Sequence, residues 1–278
     1  MAKVTLHKDD DPAIAAAAKH AKASFRYFWR ELSWEYRRIV PGLGLAAFKV
    51  AFTDDDQTDA EVMWVNEVNF DGYSLTGRLL NQPNWLKSVN QGDSVKVPLK
   101  AITDWLYTME NVAYGGFSVQ AIRKQMGKRE RKQHDDAWGL DFGDPDKVHL
   151  VPPSFYEETE IKKKGLFGLG KSAQPEPLRD DFLQKKEHPM AANMAPSIKE
   201  FATKNPQAVS DVGEDGLNML HQMALCGSAV GIKALLECGA DINSKSKKGH
   251  TALDFAKSLG WKRAYAFLTK HGGKHAAK

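Results

Sequence analysis

The chain has 278 residues, enough for two modest domains joined by a connecting region. Its composition, 42% hydrophobic and 27% charged, is that of an ordinary globular protein, and a net charge of +4 is too small to indicate nucleic-acid binding unless the charge is clustered. The two cysteines are too few for a disulfide framework, and no stretch reaches the roughly 20 apolar residues of a membrane span, so we expect a cytoplasmic protein.

A long amphipathic helix is predicted near the N-terminus. Asp11 and Pro12 are typical of a helix start, with the aspartate as the capping residue and the proline in the first turn. Apolar residues then recur every three or four positions until Pro41-Gly42, as on a helix face that packs in a core. The residues of this face are Ile14, Ala18, Ala21, Phe25, Phe28, Leu32, Tyr36 and Ile39. Aromatic residues beside this face indicate that the helix is contacted on more than one side; they are Tyr27, Trp29 and Trp34.

Alternating apolar and polar residues predict five strands after this helix. The predicted ranges are 45–53, 61–70, 73–80, 94–99 and 102–109. Asp71-Gly72 predicts a two-residue hairpin turn between the second and third of these strands. Gly115-Gly116 precedes a predicted helix over 117–126. Antiparallel strands with flanking helices predict a small α+β domain.

Short motifs follow one another in a specific order through this region. They are Met63-Trp64-Val65, Leu75-Thr76-Gly77, Leu79-Leu80-Asn81, Gly92-Asp93-Ser94-Val95, Asp104-Trp105 and Tyr114-Gly115-Gly116-Phe117. With these motifs, residues 25–126 resemble an uncharacterised bacterial family, domain of unknown function 2314. The resemblance implies a fold without a settled activity, and an association of such small domains with bacterial toxins as their neutralising partners.

One later segment matches a phosphate-binding motif. Residues 165–172 fit the pattern G-x-x-x-x-G-K-[ST], which needs a buried strand before the loop and a helix after it. The preceding residues 157–164 are too charged for a central strand, and Pro175 and Pro177 cannot lie inside the required helix. A flexible linker that continues to Pro196 is therefore favoured over a nucleotide site.

Charged clusters lie between the strands and this linker. Residues 128–132 are basic, but no aromatic residues are interleaved with them, so a solvated helix face is favoured over nucleic-acid binding. Acidic residues and histidines between 134 and 149 lack the spacing of a calcium loop, and we interpret them as a polar loop that packs Trp138 and Phe142. Asp104 has no neighbouring acid or histidine to support catalysis and is expected to be hydrogen-bonded within the fold. The sequence thus predicts no catalytic residue, no metal and no cofactor.

The last third of the chain contains an internal repeat. Residues 216–221 align with residues 249–254, which lie 33 positions later. Three more pairs repeat at this offset: Gly227 with Gly260, Leu235 with Leu268, and Gly239 with Gly272. A period of 33 with these residue types is the signature of ankyrin repeats, so residues 196–273 resemble the ankyrin family. The resemblance implies about two and a half stacked units that offer a binding surface.

These patterns predict three segments. An α+β domain over 1–126, with an antiparallel sheet and flanking helices, is followed by an irregular connecting segment and linker over 127–195 and by a small all-α ankyrin-repeat domain over 196–278. The predicted function is non-enzymatic protein–protein interaction, as a bacterial immunity-type or adaptor protein that neutralises or positions a partner such as a toxin or effector. Candidate partner-binding residues are Trp85, Tyr114, Lys245, Lys247, Lys248, His250 and Trp261. The alternatives are a nucleotide-binding protein or enzyme that uses residues 165–172, and nucleic-acid binding through residues 128–132.

Overall fold

The computed structural model describes residues 3–5, 11–55, 59–153, 155 and 180–277, which fall into two compact units. The first unit comprises Met1–Phe28 and Arg37–Leu150, and the second comprises Trp29–Tyr36 and Val151–Lys278. This division differs from the boundaries expected at 126 and 195. A helix beyond residue 126 packs within the first unit, and a helix that begins before residue 195 belongs to the second.

Helix α1 (Pro12–Glu35) contributes residues to both units. Asp11 caps its start as predicted, because the side-chain Oδ1 accepts a hydrogen bond from the amide of Ala13 at 2.7 Å. Every residue from 27 to 34 is buried, which confirms the predicted contacts on more than one side. The helix ends before Tyr36 and Ile39, and both side chains are exposed, so the predicted apolar face is too long at this end.

The first unit is built on an antiparallel sheet. Its strands are β1 (Lys3–Thr5), β2 (Ala46–Thr53), β3 (Glu61–Phe70), β4 (Ser74–Leu79), β5 (Ser94–Pro98), β6 (Ile102–Met109) and β7 (Val112–Gly115). Six of them lie in the order β5-β4-β3-β2-β6-β7, and β1 pairs with the end of β2. The five strands predicted after the helix are confirmed, and the α+β class of this region with them.

The hairpin between β3 and β4 turns one residue later than predicted. The amide of Asp71 donates to the carbonyl of Ser74 at 3.1 Å, so Gly72 and Tyr73 are the central residues of the turn. Gly72 has a φ of 90°, which only glycine adopts without strain. The shift follows from the side chain of Asp71, whose Oδ1 accepts hydrogen bonds from the amides of Tyr73 and Ser74.

Successive residues of β6 face opposite sides of the sheet. Trp105 faces α1, where its indole N–H donates to the carbonyl of Ala21 at 2.9 Å and its ring lies 5.7 Å from that of Phe28. Asp104 faces the other side, where α2 (Phe117–Gln125) begins. Helix α3 (Lys128–Trp138) follows α2 within the first unit.

The second unit is helical. Besides its part of α1, the described ranges of this unit contain α4 (Asp180–Leu183), α5 (Pro189–Lys204), α6 (Pro206–Ser210), α7 (Met219–Leu225), α8 (Ala229–Glu237), α9 (Ala252–Ser258) and α10 (Lys262–Lys270). His188 caps α5, because its Nδ1 accepts a hydrogen bond from the amide of Met190. The prediction of a flexible linker as far as Pro196 is therefore wrong over residues 189–196, which are helical. No helix in the described ranges has both the length and the apolar character needed to cross a bilayer.

The helix pairs α7–α8 and α9–α10 have the same local geometry, 33 residues apart. Asn218 and Thr251 cap α7 and α9, and each forms a capping box with the residue three positions later, His221 and Asp254 respectively. Glycines with φ between 70° and 90° recur at the turns, in the pairs Gly216 and Gly249, Gly227 and Gly260, and Gly239 and Gly272. The backbone of this region thus repeats where the sequence repeats.

Trp261 connects the two helix pairs. Its side chain is 1% exposed, and its indole N–H donates to the carbonyl of Leu225 at 2.8 Å. A Cβ added at Gly227 would overlap the Trp261 ring, so the glycine leaves the space that the ring fills. The guanidinium of Arg30, from the part of α1 that belongs to this unit, lies over the same ring at 5.3 Å.

Arg30 also takes part in a buried polar cluster of the second unit. Glu31 Oε1 lies 3.6 Å from Arg30 Nε, and Glu31 Oε2 lies 3.1 Å from His188 Nε2. Since His188 Nδ1 accepts the capping hydrogen bond, its Nε2–H is the donor to Glu31. Trp34 stacks on the same imidazole. Residues 29–36 are therefore an integral part of the helical unit.

Replacing Gly227 by alanine is expected to destabilise the protein by about 2–4 kcal/mol. The left-handed φ of 74° costs about 1 kcal/mol, and overpacking against Trp261 adds roughly 1–3 kcal/mol. The matched control is Gly239→Ala, which has a φ of 88° but no atom within 4 Å of an added Cβ, so it should cost only about 1 kcal/mol. Urea unfolding of both variants measures the difference, and equal losses would contradict the packing of Trp261 against Gly227.

Asp254 gives the helical unit a component of stability that depends on pH. Its carboxylate accepts hydrogen bonds from the amides of Thr251 and Ala276 and lies 2.6 Å from His275 Nδ1. Burial raises the pKa of Asp254, but the hydrogen bonds from Thr251, His275 and Ala276 outweigh it and lower the pKa to about 2. This stabilisation is present above the unfolded-state pKa of about 4 and is lost as the pH falls toward 2.

The Asp254→Asn variant is therefore expected to be less stable than the wild type by about 1–2 kcal/mol at pH 7, after allowance for solvent screening. The difference should shrink steadily as the pH falls from 4 toward 2. Urea unfolding at a series of pH values measures it, with Asp241→Asn, at an exposed carboxyl of the same unit, as the control. A difference that does not change with pH would contradict the role assigned to this carboxylate.

Candidate functional site

A carboxylate, a hydroxyl and an amine, which are groups common in catalytic sites, lie close together around Asp104. This fully buried carboxylate accepts hydrogen bonds from the amides of Phe117 and Ser118 at 3.0 and 2.7 Å, and from the Ser118 hydroxyl at 2.6 Å. Lys49 Nζ lies 3.4 Å from the same hydroxyl. Burial raises the pKa of Asp104, and the hydrogen bonds from Ser118 only partly offset it. Since Ser118 is buried and donates to Asp104, the cluster caps the start of α2 and presents no nucleophile to solvent.

The acidic and histidine-containing segment after α2 holds two helices together. Arg123 of α2 forms a two-point ion pair with Asp135 of α3, at 2.8 and 2.6 Å, and its guanidinium lies 5.3 Å from the ring of Phe142. The largest influence on the pKa of Asp135 is burial, which raises it, but the hydrogen bonds from Arg123 and His134 lower the pKa overall. Phe142 is buried and lies against Trp138, as the sequence predicts. Within the described ranges, no three His, Cys, Asp or Glu side chains converge as metal ligands would.

The basic run 128–132 forms the first turns of α3 and is partly engaged in the fold. Arg131 donates to the carbonyl of Arg123 in the last turn of α2 and to that of Met126, which follows this helix, and Lys132 pairs with Asp136. Lys128 is exposed. This arrangement is that of a solvated helix face with local partners. The phosphate-binding pattern at 165–172 lies outside the described residues.

Trp85 lies on a loop between β4 and β5 that hydrogen bonds to buried carboxylates hold in place. Its side chain is 46% exposed, while Leu86 beside it is buried. The carboxylate of Glu61 accepts hydrogen bonds from the amides of Asn84 and Trp85, and Asp54 accepts from the amide of Lys87 and from a neighbouring hydroxyl. The hydrogen bonds that Asp54 accepts, chiefly the one from the Lys87 amide, lower the pKa of Asp54. Sequence reasoning misses both carboxylates, because they lie more than 20 positions from the loop that they hold.

Two of the predicted contact residues are buried, and the expectation that they are exposed is wrong. Tyr114 is 6% exposed because it belongs to β7, where its ring stacks on Tyr107 at 4.9 Å. Trp261 is 1% exposed because it fills the space beside Gly227. Neither side chain can serve as an anchor for a partner in this structure.

The remaining predicted residues, Lys245, Lys247, Lys248 and His250, lie on one turn over residues 244–250, which we call the lysine turn. All three lysines are exposed, and His250 is half-buried. Between them, the buried Ser246 fixes the backbone: its amide donates to the carbonyl of His250 at 2.8 Å, and its hydroxyl accepts from the amide of His250. The turn therefore has a fixed main chain and exposed cationic side chains.

The preceding repeat holds the lysine turn from the other side. The amide of Lys247 donates to the carbonyl of Gly216 at 2.9 Å, and Asn218 Nδ2 donates to the Ser244 hydroxyl. His221 Nδ1 accepts from the amide of Asn218, so its Nε2–H donates to the carbonyl of Ser244 at 3.0 Å. Burial lowers the pKa of His221, which favours this neutral form and confirms the local structural role expected for it.

Comparisons with known proteins agree with the two resemblances found in the sequence. The family described as "Uncharacterized protein conserved in bacteria (DUF2314)" matches residues 11–142, a longer range than the motifs indicated. The "Putative ankyrin repeat protein" of Neisseria meningitidis serogroup B (strain ATCC BAA-335 / MC58) is 40% identical over 266 residues, which cover 95% of this chain and 95% of that protein. The "Uncharacterized protein YegJ" of Escherichia coli (strain K12) is 26% identical over 121 residues, 44% of this chain and 74% of that protein. The chain therefore belongs to the family of the Neisseria protein, and the region that matches the DUF2314 model is followed by the region that resembles ankyrin repeats.

Proposed function

We propose that this protein binds another protein, as an immunity-type or adaptor protein that neutralises or positions its partner in the cytoplasm. The observation that carries the proposal is the lysine turn, which displays three lysines on a backbone fixed by two successive repeats. A fixed backbone lowers the ordering cost of binding. The similar Neisseria protein is named for ankyrin repeats, and stacked repeats of this kind form binding surfaces.

The first unit supports a second contact through Trp85. Exposed tryptophans on ordered loops are frequent anchors of protein interfaces, since they contribute a large apolar area at small entropic cost. The Asp104 cluster, by contrast, closes on itself as a helix cap and favours binding over catalysis. We therefore propose Trp85 as a contact of the first unit with the partner, a toxin or effector protein.

Affinity purification of the full chain from its native cells is expected to recover one protein in stoichiometric amount. The recovered complex should survive nuclease treatment, because the proposed contacts are between proteins. Absence of such a protein would contradict the proposed function. Nucleotide binding by the full chain that is abolished by Lys171→Ala would also contradict it, in favour of an enzyme.

Trp85→Ala is expected to weaken binding of the recovered partner about 30-fold, which corresponds to the roughly 2 kcal/mol loss of a hot-spot residue. Its matched control is Ile122→Ala, which removes a similarly exposed apolar side chain from α2. Calorimetric titration of both variants measures the effect. If Trp85→Ala binds as tightly as Ile122→Ala, the first unit does not use Trp85 in the interface.

A further inference from the structure

We propose that the lysine turn recognises an acidic segment of the partner protein, an inference that rests on the proposed function and specifies its chemistry. The cations are already in place before any partner binds. Neither Lys245 nor Lys247 forms an ion pair with the part of the chain that the structure describes. Both extend from a backbone whose hydrogen bonds are directed inward, to Gly216 and through Ser246.

Three exposed lysines on helices of this unit are paired within the chain. Lys199 and Lys233 pair with Glu237, and Lys204 pairs with Glu200. At these three positions the chain supplies a carboxylate close to the amine, but the described residues supply none to Lys245 or Lys247. A carboxylate from another molecule can therefore approach these two amines without displacing an internal partner. Because each ammonium is a compact point charge, the pair suits successive carboxylates of an extended peptide.

The turn that precedes α7 favours a protein over a nucleic acid. The hydrogen bond from Lys247 to Gly216 places the lysine turn beside this preceding turn, where Asp211 and Glu214 are exposed. Val212, between them in the sequence, is also exposed. A continuous phosphate backbone that ran from the lysines over this preceding turn would be repelled by its carboxylates. A protein surface can instead place acidic residues against the lysines and basic or apolar residues against the preceding turn.

Defined probes test this chemistry on the full chain. They are a fluorescein-labelled 12-residue peptide with two Glu separated by one Gly at its centre and neutral residues elsewhere, the same peptide with Gln in place of Glu, and a 12-nucleotide single-stranded RNA. The test variant is Lys245→Glu/Lys247→Glu, and the control is Lys257→Glu/Lys270→Glu, which makes the same change in charge at exposed lysines elsewhere on the unit.

At low salt, the Glu peptide is expected to bind the wild type and the control, and to bind the test variant at least tenfold more weakly. The Gln peptide should not bind, and added salt should weaken the binding of the Glu peptide. Equal affinity of the test and control variants for the Glu peptide, no binding of that peptide to the wild type, or tighter binding of the RNA would each overturn the inference.

The recovered partner separates this inference from the proposed function. If the partner binds the test variant as tightly as the control variant, the acidic-segment inference is wrong and the protein-binding function stands. If no partner is recovered from cells, the proposed function fails, and the inference fails with it whatever the peptides show. If the partner binds the wild type and the control variant but not the test variant, this result supports both the proposed function and the acidic-segment inference.

Discussion

The helical unit depends on the fit of one indole ring into the space left by one glycine. Trp261 reaches from the second helix pair to the first, where its N–H binds the carbonyl of Leu225 at the end of α7. This carbonyl has no partner within its own helix, so the indole satisfies a group that would otherwise be buried without one. Gly227 supplies both the left-handed turn and the room for the ring. A helix pair buries only one face by itself, and this contact joins two pairs into a single core.

The packing of the core determines which side chains stay exposed on the surface. Trp261 and Tyr114 have aromatic side chains typical of interface anchors, but the fold uses them internally. Polar turns and the loop of Trp85 remain exposed, each fixed by hydrogen bonds to buried groups. Under the proposed function, these exposed residues are ordered before a partner binds, so the affinity depends on charge and shape more than on folding of a flexible segment.

Features that depend on local spacing could be predicted from the sequence. The strands, the start of α1 at Asp11 and the 33-residue repeat all follow from residue patterns within short windows. The exposure of Trp261 could not be predicted, because a tryptophan at a helix turn is buried or exposed according to what the neighbouring repeat places beside it.

Other features depend on contacts distant in sequence. Residues 29–36 belong to the helical unit because Glu31 meets His188, more than 150 positions away. The carboxylates that hold the loop of Trp85 also come from strand ends distant in sequence. No periodic pattern of residues indicates such contacts between a carboxylate and a loop. The lysine turn itself was visible as three lysines in four residues, but its rigidity depends on Gly216 and His221 of the preceding repeat.

The proposed function and the inference drawn from it require that carboxylates of a partner protein contact the lysine turn. Zero-length carbodiimide cross-linking tests it most directly, because the reagent joins lysine amines only to carboxylates already in contact with them. In the purified complex, mass spectrometry should find Lys245, Lys247 or Lys248 joined to aspartate or glutamate of the partner. Cross-links confined to other lysines, such as those of α3, would show that the partner does not contact the lysine turn through its carboxylates.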